Sequence, residues 1–155
     1  MIYAPAGLGW ALVTSLGNEL VAKNNIDDPV RYIGEQLSQA LAAKYGIKVS
    51  PGSITRLDGV PGADLVLDSE TTWWGIAYYR DSVKYQVFYH GRLRFIDANG
   101  GSLMAEGTCA STPEETPSSP TYGELLANGA ERLKKVLRDA ADICIGEFTT
   151  KVFQW

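Results

Sequence analysis

A single histidine, two cysteines and two methionines are all that 155 residues offer as soft or imidazole ligands, and this scarcity closes the commonest routes to chemistry. Cys109 and Cys144 lie far apart, neither in a CxxC pair nor beside the histidine, so a zinc site lacks its ligands. No serine or cysteine has a paired base, and neither an HExxH helix nor a phosphate-binding P-loop occurs. Gly7-Leu8-Gly9 lacks the third glycine of a dinucleotide fingerprint and follows no expected strand. Basic charge is also short: 14 Lys and Arg against 18 Asp and Glu give a net charge of -4. That sign is wrong for a phosphate backbone, and no nucleic-acid partner is expected. The longest basic run, Arg132-Leu133-Lys134-Lys135, reads as the solvated face of a helix.

Long hydrophobic runs are missing as well. No window approaches the roughly 18 to 20 apolar residues of a membrane helix, so a soluble chain without a membrane span is expected. Met1 to Lys23 has no basic start, no unbroken apolar stretch and no small-residue cleavage site, so it is not read as a signal peptide. Any export signal or lipid anchor is expected upstream of Met1.

What the sequence does hold is 45% apolar residues with 16 glycines and 7 prolines, enough for one packed core with real turns. One domain over 1–155 is expected, a helical segment at 1–27 followed by an α+β core at 28–155. Leu8, Leu12, Leu16 and Leu20 recur every fourth residue and predict a helix from about Gly7 to Lys23. Asp28-Pro29 reads as an N-cap with proline in the first helical position. Val30, Ile33, Leu37 and Leu41 form the stripe of that second helix, and Gly46 stops it. A short strand at Ile47–Ser50 precedes a Pro- and Gly-broken loop. Thr121-Tyr122-Gly123-Glu124 is a capping box that opens a long third helix with the stripe Tyr122, Leu126, Gly129, Leu133, Val136, Ala140, Cys144 and Phe148. The fold class is therefore α+β: an antiparallel sheet of three long strands plus one short one, covered by two N-terminal helices and one long C-terminal helix.

The three long strands run from about Asp64 to Tyr79, Val83 to Asp97 and Ser102 to Ala110. In the middle one, Val83, Tyr85, Val87, Tyr89, Leu93 and Phe95 alternate with polar residues, so one face is core and the other wet. Pairing Leu67 with Phe95 leaves Arg80-Asp81-Ser82 as the loop and sets Asp68 opposite Arg94 and Glu70 opposite Arg92. Pairing Phe95 with Leu103, with Gly100 left-handed in the turn, brings Glu106 beside Arg92.

This register turns Cys109 toward the face that the third helix must cover, where Cys144 lies on the apolar stripe. A disulfide or two inert buried thiols remain, and the geometry favours the disulfide, provided the 111–120 linker runs back along the sheet or Gly129 breaks the helix. His90, between hydrophilic neighbours and opposite Thr72 and Thr108, reads as a surface histidine. Asp68, Glu70 and Glu106 each have an arginine neighbour, which argues against a carboxyl held protonated for acid catalysis. Glu114-Glu115 reads as solvated. The residue set asks for no metal and no cofactor, and a non-catalytic protein is expected.

Aromatics are the unusual feature. The register assigns Trp73, Tyr79, Tyr85 and Tyr89 to the core and turns Trp74, Ile76, Tyr78 and Phe88 outward, either as a candidate contact surface or as a patch that the amino-terminal helix or the tail Thr149 to Trp155 covers. An alternative is a small-ligand pocket between helices and sheet lined by Trp73, Tyr85 and Tyr89. An enzyme would need a cleft converging on His90 with Glu70 or Glu106.

The stretches Ala63-Asp64-Leu65-Val66-Leu67-Asp68, Arg92-Leu93-Arg94-Phe95-Ile96-Asp97, Ala105-Glu106-Gly107-Thr108-Cys109 and Pro120-Thr121-Tyr122-Gly123-Glu124-Leu125-Leu126 resemble a group of uncharacterised proteobacterial envelope proteins, many of them lipoproteins. The likeness covers residues 28–153 and implies periplasmic exposure, in keeping with a disulfide, without implying catalytic residues. The order of elements is also similar to small α+β domains of envelope accessory proteins such as the TolB amino-terminal domain. The chain lacks an N-terminal lipobox cysteine, so a lipid anchor would have to precede it. The expectation is a periplasmic accessory or interaction domain that meets a protein partner or a second copy of itself.

Overall fold

Two consecutive helices and a three-strand meander follow directly from the capping and alternation signals. The computed structural model describes residues 2–5, 15–52 and 62–153. In chain order the elements are β1 (Ile2–Pro5), α1 (Ser15–Asn24), α2 (Pro29–Tyr45), β2 (Val49–Gly52), β3 (Leu65–Tyr78), β4 (Tyr85–Asp97), β5 (Leu103–Ser111) and α3 (Tyr122–Lys151). The sheet runs β2-β1-β3-β4-β5, with β1 parallel to β2 and β3, and β3, β4 and β5 antiparallel. The class is α+β, and the parallel β1 makes the sheet mixed rather than purely antiparallel. The first helix begins at Ser15 rather than Gly7, and Leu8 and Leu12 of its expected stripe lie outside the described residues.

Asp28 caps α2 by accepting the Val30 N–H at 3.0 Å, Pro29 stands at its start, and Gly46 ends it in the left-handed conformation. Val30, Ile33, Leu37 and Leu41 are buried, as their spacing requires. At α3, the Thr121 hydroxyl accepts the Glu124 N–H while the Glu124 carboxylate accepts the Thr121 N–H at 2.8 Å. That reciprocal bond holds the Glu124 carboxyl below its ordinary value.

The long helix is interrupted. Asn128, Gly129 and Ala130 all take positive φ, 53°, 70° and 60°. The break resets the helical phase, so Leu125 and Ala130 are buried where continuous periodicity selected Leu126 and Gly129. Beyond it Leu133, Ala140, Cys144 and Phe148 fall on the expected stripe. With the helix broken at this point, Cys144 reaches Cys109 on β5, and the two form a disulfide with Cα atoms 5.3 Å apart. Both cysteines are buried in the core that α2, α3 and one face of the sheet enclose.

Leu67 pairs with Phe95, Asp68 with Arg94 and Glu70 with Arg92, as alternation dictates. Two features alter the rest. The β3–β4 loop is one residue longer than expected, since Tyr78 pairs with Tyr85 and the Tyr79 N–H donates to the Lys84 carbonyl. A β-bulge between Thr71 and Trp73 absorbs the extra residue, so the register is reversed in face only between the bulge and the loop. The β4–β5 hairpin also has a longer turn, in which Gly101 rather than Gly100 has positive φ, and a bulge between Phe95 and Ile96. There the two shifts add: Phe95 pairs with Ala105, and Glu106 stands opposite Arg94 instead of Arg92. A shift of two preserves the face of every side chain, which is why Cys109 still points inward.

Candidate functional site

The bulge at Thr72 decides which aromatics reach solvent. The surface expected from Trp74, Ile76, Tyr78 and Phe88 does not exist as one face: Trp74 and Ile76 turn toward the helices and pack against the core. Tyr78, opposite Tyr85, is on that same side at the sheet's end, where it is exposed. Phe88 alone of the four lies on the other face, helix-free in the sense that no helix among the described residues packs on it, and there it meets Trp73. Their rings stack with centroids 3.9 Å apart and planes 24° apart, and Trp73 keeps half of its surface open.

The alternative pocket of Trp73, Tyr85 and Tyr89 is likewise not formed. Trp73 stands on the far side of the sheet, Tyr85 leans on the Tyr122 ring at 5.3 Å, and Tyr89 is wholly buried. The Tyr89 hydroxyl is 2.8 Å from Thr71 Oγ1, which donates to Asp28 Oδ1 at 2.5 Å. Burial pushes the Tyr89 phenol well above its ordinary value, so it stays protonated. An inaccessible neutral phenol holds the fold together and offers nothing to a substrate.

On the helix-free face, Gly75 lies opposite Phe88, and a Cβ there would come within 2.5 Å of the Phe88 ring. The missing side chain lets the phenylalanine lie flat on the strand and carry Trp73. His90, half-buried, pairs with Trp73 rather than Thr72, and its ring is 5.3 Å from the indole. The Thr72 hydroxyl donates to the His90 carbonyl at 3.1 Å. A depression of about 460 Å³, lined in part by Thr72, His90 and Thr108, adjoins these groups.

Further along the same face, the Arg92 guanidinium binds Glu70, Arg94 binds Asp68, and Arg94 Nη2 is 3.9 Å from Glu70. Asp68 is only 7% exposed, so this part of the face is less wet than alternation alone suggests. The hydrogen bond to Glu70 raises the Arg92 value from its ordinary one, so the guanidinium stays charged. Neither Glu70 nor Glu106 lines the depression at His90, whose rim instead includes Glu147 and Lys151 of α3, and among the described residues no three His, Cys, Asp or Glu side chains are placed to hold a metal ion. The arrangement presents a preset aromatic platform beside a neutralised ionic ladder. Sequence reasoning singled out Phe88 but assigned Trp73 to the core, because nothing in the adjacent Thr71-Thr72 pair announces a bulge.

No family model matches the sequence, and no curated protein matches it. Two solved structures share the fold at TM-scores of 0.50 and 0.51. A candidate neuraminyllactose-binding hemagglutinin homolog from Helicobacter pylori superposes with TM-score 0.50 at 13% identity, covering 97% of this chain and 83% of its own. A Xanthomonas campestris protein of the DUF330 family gives TM-score 0.51 at 9% identity, covering 96% and 82%. The lipoprotein GNA1162 from Neisseria meningitidis gives 0.39 at 14% identity, covering 94% and 97%. Among the described residues, no helix is long and apolar enough to cross a membrane.

Proposed function

We propose that this chain is a single non-catalytic accessory domain of the bacterial cell envelope, which acts by contact with a protein partner or a second copy through the helix-free face of its sheet. The observation that carries the reading is Trp73, half exposed and stacked on Phe88, which itself rests on Gly75. Tryptophan on a rigid support is the side chain most enriched where binding energy concentrates, because it buries a large area with little entropy left to lose. The paired arginines beside it supply a polar margin whose charges are already compensated. The Cys109–Cys144 disulfide supports a compartment outside the reducing cytoplasm, where such bonds persist.

The test uses the protein exported in its host. Alkylation of denatured, unreduced protein should find no free thiol, and protein captured from the envelope should bring down a species lost in Trp73→Ala but kept in Ile143→Ala, which removes an exposed apolar side chain on α3. Two free thiols, or equal capture by both variants, would contradict the reading.

A further inference from the structure

On the side of the molecule where α2 and α3 pack, an open groove of about 560 Å³ lies between the α1–α2 turn and α3. This volume falls within the range that small-molecule sites occupy. Its lining includes three cations, Arg31, Lys134 and Arg138, and three carboxylates, Asp27, Asp28 and Glu35. The charges are sorted by wall. Arg31 and Glu35 satisfy each other at 3.5 Å on α2, and Asp28 is occupied by the Val30 N–H and Thr71. What remains is Asp27 on the turn, facing Lys134 and Arg138 one helical turn apart on α3.

The two groove cations that α3 supplies are also the two on that helix without an acid among the described residues. Of the five cations on α3, Arg132, Lys135 and Lys151 each have a carboxylate within 4.0 Å, whereas Lys134 and Arg138 have none among the described residues. Arg138 is nonetheless held in place: its guanidinium carbon lies 3.1 Å from the centroid of the Tyr32 ring, and the Tyr32 hydroxyl donates to Asp142 at 2.9 Å. Stacking on a ring fixes a guanidinium while leaving its N–H edge free for an oxyanion. Ile26 and Leu137, both buried, contribute apolar surface to the same groove.

We infer that this groove binds a small zwitterion, its carboxylate or phosphate taken by Arg138 and Lys134, its ammonium by Asp27, and an apolar portion by Ile26 and Leu137. A simple anion gains less, because the lining as a whole is charge-balanced and Asp27 repels it. The site is separate from the helix-free face, so it stands or falls independently of the proposed contact surface.

The experiment titrates the full-length ¹⁵N-labelled protein with glycyl-leucine, N-acetylglycyl-leucine, which lacks the ammonium, and glycyl-leucinamide, which lacks the carboxylate. Glycerophosphoethanolamine, carrying the same pair of charges from a lipid headgroup, is a fourth arm. Glycyl-leucine should shift amides in 25–36 and 134–138, and either blocked analogue should bind roughly tenfold more weakly, as expected for loss of one charged hydrogen bond. Arg138→Gln and Asp27→Asn should each weaken the intact dipeptide similarly while Trp73→Ala leaves it unchanged, with thermal melts establishing that each variant is folded. Tighter binding of glycerophosphoethanolamine with the same variant dependence would assign the zwitterion to a lipid headgroup. No shift in these segments with either zwitterion at about 10 mM, or equal binding of the blocked analogues, would overturn the inference.

Discussion

Asp28 and Thr71, 43 positions apart, share a hydrogen bond of 2.5 Å that ties the start of α2 to the bulge in β3. Asp28 thereby serves two elements, capping the helix through the Val30 N–H and anchoring the strand through the Thr71 hydroxyl at the point where its faces exchange. The bulge that puts Trp73 in solvent is thus held from the opposite side of the sheet.

Thr71→Val keeps the side-chain shape but leaves Asp28 and the buried Tyr89 hydroxyl without their shared partner. Urea unfolding should show a loss of about 1 to 3 kcal/mol, the cost of abandoning the buried Tyr89 hydroxyl. Asp28→Ala combined with Thr71→Val should be less damaging than the sum of the two single changes, because both remove the same bond.

Trp73→Ala and Trp74→Ala should behave oppositely despite adjacency. The first removes a half-exposed ring and should change stability by less than about 1 kcal/mol; the second opens space against the core and should cost at least about 2 kcal/mol. Thermal melts of the two variants measure this directly. Equal losses would mean that the bulge does not set the register.

The same pair shows how far the sequence could be read. The alternation in β4 and the acid–base matches Asp68/Arg94 and Glu70/Arg92 identify the pairing beyond Thr71, because a slip there would bury charge. Caps and the stripe of α2 were equally legible, since Asp28, Gly46, Thr121 and Glu124 act on their own neighbourhoods, whereas the break at Asn128 shifted the first turn of the α3 stripe. The bulge was not: either threonine of Thr71-Thr72 fits either face, and the hydrogen bond that selects one comes from a distant helix cap. In the first hairpin the whole aromatic segment lies between loop and bulge, so one residue of slippage exchanged Trp73 with Trp74. In the second, only Leu103 and Met104 lie in that interval, and the disulfide geometry survived. β1 was missed because a four-residue strand carries too little periodicity to register.

Arg94→Ala should be more costly than Arg92→Ala. Asp68 is 7% exposed and would lose its guanidinium partner, whereas Glu70 is more open and keeps Arg94 nearby. Chemical denaturation should give a loss of about 3 kcal/mol for the first and about 1 kcal/mol or less for the second.

Alkaline stability should report Tyr89. Its raised value in the folded state means that the unfolded chain releases the proton first, so stability is intact below the ordinary tyrosine value of 10.0 and declines as pH rises above it. Tyr89→Phe should flatten this alkaline decline in denaturation curves taken on either side of that value, although it lowers stability at neutral pH by removing the bond to Thr71.

The central claim, that the helix-free face is the working surface, is tested most directly by photo-cross-linking in intact host cells with benzoylphenylalanine placed at position 73, and at 143 on α3 as a control. The account predicts a discrete cross-linked species in the envelope from position 73, abolished by Gly75→Val, which forces the Phe88 ring off the strand, and absent from position 143. Cross-links from 143 alone, or a species from 73 that persists when the platform is displaced, would contradict it.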